Sequence, residues 1–144
     1  MITQTFVLDS WDSWIVKVYY AVNRYHVARI IRELESIGCS ERDLQSAAEN
    51  MEAGRYNMGL TYSNHKLRRS VMVIGLTDSA DEFANTMSHE VGHLAAHIGS
   101  ALRLDPYGED LQYLTGDITM KMFPIARQFL CNECRKKIMK KRES

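Results

Sequence analysis

The sequence predicts a mixed α+β fold, and three observations predict it. Runs of β-branched and aromatic residues, separated by turn chemistry, alternate with segments whose apolar residues recur at helical spacing. At 144 residues, 45% hydrophobic and 25% charged, the chain has the length and composition of one compact globular domain. No repeat, low-complexity stretch or long linker divides it, so a single domain over 1–144 is expected.

Thr5 to Leu8 and Trp14 to Ala21 read as two strands, or as one strand and a lead-in, with Asp9-Ser10-Trp11-Asp12-Ser13 between them as a turn. Val27, Ile30, Ile31 and Leu34 share one face of a helix that Gly38 stops. Ser40, followed by Glu41 and Asp43, reads as an N-cap with an acidic first turn and opens a second helix reaching about Gly54. Tyr56 to Ser63 and Leu67 to Leu76 then form a hairpin around Asn64-His65-Lys66, and Val71 to Ile74 is apolar enough for a well-buried strand. Asp78 or Ser79 is the expected N-cap of a third helix, with Phe83, Met87, Val91, Leu94, Ile98 and Leu102 as its buried stripe. Asp105-Pro106 supplies the start of a fourth helix that buries Tyr107, Leu111, Leu114 and Ile118 until Pro124 kinks or ends it. Ile125 to Lys141 is expected to be helical.

The formal net charge is zero, so no global field points to nucleic acid or membrane as the partner. The basic run from Arg135 to Arg142 reads as a solvated helix end, since nothing else basic clusters with it. There is no export signal at the start and no apolar run of membrane-spanning length, which points to the cytoplasm. Three cysteines do not make a disulfide framework, and Cys131 and Cys134 are expected to be free thiols.

The chemistry concentrates in His89-Glu90-Val91-Gly92-His93 on the third helix. Two histidines four apart share a helical face, and the acid beside the first reaches the same metal-bound water. Catalytic zinc takes three protein ligands and keeps one position open. His97 repeats the spacing but lies about 12 Å along the axis from His89, too far for one ion, so it is assigned to support, substrate contact or surface. Glu109 on the returning helix is the expected third ligand, with Asp105 and Asp110 as alternatives. Tyr113 and Asp117 follow Glu109 at helical spacing, Tyr113 to donate to an oxyanion and Asp117 to orient a ligand histidine. Glu90 is then the general base, and the strand from Val71 to Leu76 would accept an extended peptide if its edge is open.

His89-Glu90-Val91-Gly92-His93, with the acid in Gly108-Glu109-Asp110-Leu111, resembles the zincin metallopeptidases of gluzincin type. Thr61-Tyr62-Ser63-Asn64 and Tyr113-Leu114-Thr115-Gly116-Asp117-Ile118 are similar to small zincin-like proteins of gut bacteria and their phages. The resemblance implies a mixed sheet packed on the motif helix, Zn2+ held by His89, His93 and Glu109, and hydrolysis of a protein or peptide substrate with Glu90 as base. Gly99 stands where metzincins carry a third histidine, and Tyr113 where thermolysin-like enzymes carry an aspartate. The alternatives are a non-catalytic binding or assembly protein on the same scaffold and a phage-associated regulator acting on a repressor.

Overall fold

Four segments rich in β-branched and aromatic residues pair into one mixed sheet in the computed structural model, which describes residues 1–53 and 59–143. They are β1 (Ile2–Leu8), β2 (Trp14–Val22), β3 (Gly59–Asn64) and β4 (Arg69–Gly75), in the order β1-β2-β4-β3. The β1/β2 and β3/β4 pairs are antiparallel, and the central β2/β4 pair is parallel. Val16, Val18 and Tyr20 of β2 and Met72 and Ile74 of β4 enter one apolar core, while Tyr19 and Val22 with Val71 and Val73 enter another. Burial on both faces explains why these two strands read as nearly continuous apolar runs.

Helices cover both faces. After a single 3-10 turn at Arg24–His26, α1 (Val27–Ser36) and α2 (Glu41–Glu52) close one core with Ile30, Leu34 and Ala47. On the other face α3 (Ala80–Ala101) and α4 (Glu109–Ala126) bring Phe83, Leu94 and Ile98 against Leu114, Ile118 and Met122. Phe129, beyond α4, stacks on Phe83 at 5.0 Å and on Tyr20 at 5.8 Å. A fifth helix, α5 (Asn132–Glu143), is tied to the start of α3, because Asn132 Oδ1 accepts from the Ala80 amide and the Arg135 guanidinium donates to the Thr77 carbonyl. The expected caps are in place: Ser40 Oγ accepts from the Asp43 amide at 3.2 Å and Ser79 Oγ from the Glu82 amide at 3.4 Å.

Several boundaries differ from expectation. β1 begins at Ile2, not Thr5, because its whole length pairs with β2 from Ile2–Tyr20 to Leu8–Trp14. The fourth helix begins at Glu109 with Gly108 as an extended N-cap, because Asp105 closes a local turn by accepting from the Tyr107 amide at 2.9 Å. Tyr107 therefore falls outside the helix and is 95% exposed, not buried. Pro124 lies inside α4, which continues to Ala126, so Ile125 belongs to α4 and the last helix starts at Asn132. The expected end of the second helix at Gly54 and start of the third strand at Tyr56 lie outside the described residues. The edge of β4 is not open: β2 and β3 pair with it on either side, and among the described residues the strand with a free edge next to the motif helix is β3. Among the described residues no helix is long and apolar enough to cross a membrane.

Leu94, fully buried between the sheet and α4, tests this packing. Leu94→Ala should cost about 2–5 kcal/mol in urea unfolding. A loss below about 1 kcal/mol would mean that α3 does not pack through this face.

Candidate functional site

Helix α3 reaches the sheet at its edge. Along β3 alternate residues face opposite layers: Leu60 and Tyr62 pack with α1 and α2, and Gly59, Thr61 and Ser63 turn toward α3. Glu90 lies in this seam with 3% of its surface exposed. Thr61 Oγ1 donates to Glu90 Oε1 at 2.9 Å. A methyl group on Gly59 would stand 2.3 Å from Glu90 Cγ and 2.4 Å from Oε2, so the carboxylate occupies space that only glycine leaves free.

Further along the same seam His97 Nδ1 meets Ser63 Oγ at 2.8 Å. From Glu90 to His97 the helix advances about 10 Å, while their partners Thr61 and Ser63 lie two residues, about 7 Å, apart along the strand, so both contacts fall on one seam. Ser63 Oγ lies 2.6 Å from Ser70 Oγ, which accepts from the fully buried Trp14 Nε1 at 2.8 Å. A chain of polar contacts thus links His97 to the centre of the core. Burial holds the His97 imidazole below its ordinary pKa, and the neighbouring His93 and His65 push in the same direction.

His89 and His93 project from α3 into solvent, beside Glu90. Their Nε2 atoms converge to 3.0 Å, with one nitrogen donating and the other accepting in the absence of a shared ion. Two nitrogens each about 2 Å from one zinc ion would lie about 3 Å apart, so the pair fits a metal's geometry. The third ligand is not assembled with them: among the described residues no group of three or more His, Cys, Asp or Glu side chains is placed to hold a metal. Glu109 is the first residue of α4 and is exposed, about half a turn around that helix from the buried Leu114, Ile118 and Met122. Of the alternatives, Asp105 is engaged in its own turn and Asp110 is exposed. Tyr113 is 63% exposed on the outer side of α4, and Asp117 accepts from Trp11 Nε1 at 2.8 Å, pinning the β1–β2 turn to α4. The structure therefore brings His89 and His93 together, turns the Glu90 carboxylate toward Thr61 and Gly59, and assembles none of Glu109, Tyr113 and Asp117 with the histidine pair.

A groove of about 430 Å³ runs along β3 from Thr61, the partner of Glu90. Thr61, Ser63, His65 and His97 line it on the motif side, and Asp43, Ser46 and Asn50 of α2 form the opposite wall. Sequence reasoning missed Gly59, Thr61 and Ser63. A glycine opening a strand beside a motif helix was the available signal for close approach. Thr61 and Ser63 carried none, because their partners are remote in sequence.

No known protein family, curated protein or solved structure matches the chain.

Gly59→Ala should destabilise the fold by about 1–3 kcal/mol through overpacking on Glu90, and the same substitution in a Glu90→Ala background should cost much less. An equal cost in both backgrounds would contradict the contact. Because the folded-state pKa of His97 is lowered, the unfolded chain takes up the proton first as pH falls below about 6.5, so stability is fully present above that pH and lost on acidification. Urea midpoints at pH about 7.5 and about 5.5 should show a smaller acid-side loss for His97→Gln than for the unaltered chain. Identical pH dependence in both would remove this contribution.

Proposed function

We propose that the chain is a zinc-dependent metallopeptidase of zincin-like kind, acting in the cytoplasm on a protein or peptide. The observation that carries the reading is the convergence of His89 Nε2 and His93 Nε2 to 3.0 Å beside the buried carboxylate of Glu90. His89 and His93 would hold the ion. When bound, zinc supplies Lewis acidity toward a carbonyl and lowers the pKa of a coordinated water. Glu90 takes the proton of the attacking water and returns it to the leaving amine. Thr61 fixes Glu90 through Oε1, and Gly59 gives the carboxylate room at the edge of β3.

The substrate strand would lie along the side of β3 that no described strand pairs with, where its backbone groups could align a peptide with the histidine pair. The groove beyond Thr61 would take the side chains next to the scissile bond. Glu109, to which the resemblance points as third ligand, reaches the pair only if the first turn of α4 turns toward it. A second reading rests on the same groove: an open strand edge with a side-chain cleft binds a peptide segment whether or not it is cut, as a non-catalytic binding module would.

Zinc content and cleavage of a quenched fluorescent peptide library separate these readings. Glu90→Gln should keep the zinc of the unaltered chain and lose about 10²–10⁴-fold in cleavage rate. His89→Ala and His93→Ala should lose both zinc and cleavage, and Glu109→Ala should weaken zinc binding if that carboxylate completes the site. A chain that stays metal-free in added zinc and cuts no member of the library would overturn the peptidase reading in favour of the binding module.

A further inference from the structure

The outer face of α4 is apolar where a solvated helix would be polar. Its buried stripe, Leu114, Ile118, Met122 and Ala126, already packs in the core. On the opposite side Tyr113, Met120 and Phe123 are 63%, 66% and 54% exposed. At 100° per residue, Glu109, Tyr113, Gly116, Met120, Phe123 and Arg127 all fall within a sector of about 80°. Every one of them is exposed, and Arg127, the C-cap, keeps a helical backbone.

The order of residues along this stripe is self-complementary. Positions 109 and 127, 113 and 123, and 116 and 120 each lie symmetrically about position 118. A second copy of α4 laid antiparallel across the first, on a two-fold axis between Gly116 and Met120, would set each residue against its mirror position. Glu109 would meet Arg127 of the second copy at both ends of the seam. Tyr113 would face the second copy's Phe123, and Met120 would enter the gap at the second copy's Gly116. A Cβ at Gly116 would touch nothing within 4 Å among the described residues of the chain itself, so the gap is open to a neighbour. Acid against base, ring against ring and side chain against gap arise together from a single operation.

We propose that this face of α4 pairs with a second copy of the chain, as an antiparallel helix pair closed by reciprocal Glu109–Arg127 contacts. The pairing uses none of His89, Glu90 and His93; Glu109 is the one residue that it shares with the metallopeptidase reading, and the chelator in the test below keeps the two separate. It also gives Glu109 a partner other than a metal.

Sedimentation of the full chain at tens of micromolar, in buffer with a chelator, tests it directly. The unaltered chain should be a dimer. Glu109→Arg and Arg127→Glu should each raise the dissociation constant by at least about tenfold, since each sets like charges together at both ends. The double variant should recover most of the loss, which no effect on folding alone would do. Gly116→Leu should also favour the monomer while leaving the unfolding midpoint of the monomer unlowered, because the position is open in the single chain. A monomeric unaltered chain at these concentrations would overturn the proposal. So would a dimer that tolerates both single charge reversals, or one that the double variant does not restore.

Discussion

A buried carboxylate on a helix, held by the edge of a sheet, is the constraint on which the rest depends. Glu90 is almost fully enclosed, and burying such a group is costly unless hydrogen bonds replace water. Thr61 supplies one bond, and Gly59 allows the approach. Together they set the height of α3 against β3. Once that height is set, the spacing of the helix decides the remainder: His89 and His93 must emerge beside Glu90 on the solvent side, and His97 must return to the strand at Ser63.

The sheet topology makes the constraint available. A parallel β2/β4 pair at the centre must be covered on both faces, and α1 with α2 and α3 with α4 cover it. The two cores consume most of the apolar residues in the central strands and leave β3 at the edge with an intermediate environment throughout. An edge strand is where a second segment can add without breaking existing pairs. On the face turned toward α1 and α2 the same strand is tied down, with Tyr62 Oη donating to the Gly38 carbonyl and Asn64 Nδ2 to that of Ile37. Side-chain hydrogen bonds thus tie the edge strand on both of its faces.

Much of this was legible in the sequence. Local signals were: the Ser40 and Ser79 caps, the hairpin turn after Asn64, the α3 stripe and the histidine pair each rest on contacts within about four residues. The fourth helix failed at its start because Asp105-Pro106 carries the chemistry of an N-cap and of a turn equally well, and only the Asp105 bond to Tyr107 decides between them. The condition set on β4, an open edge, is not met for a different reason. Strand order is set by long-range pairing, and β3 and β4 differ in sequence only by degree of apolarity. Thr61 and Ser63 look like ordinary strand polar residues until the helix that uses them is placed, more than twenty residues later in the chain.

The same limit explains Glu109. Helical periodicity says that Glu109, Tyr113 and Asp117 advance around α4 together, but it does not say which neighbour that side meets. The choice of a third ligand assumed one buried stripe and one face turned toward the histidines. The helix instead carries two apolar faces, one in the core and one outside, and Glu109 and Tyr113 belong to the outer one. A single carboxylate cannot pair with Arg127 of a second copy and coordinate an ion at His89 and His93 at once, since the two positions lie on different sides of α4. Zinc affinity and self-association are therefore physically opposed wherever Glu109 contributes to both, and by linkage each would weaken the other by the same factor. If the two prove independent, Glu109 serves one of them alone, and the site on α3 must draw its third ligand from elsewhere or function with two.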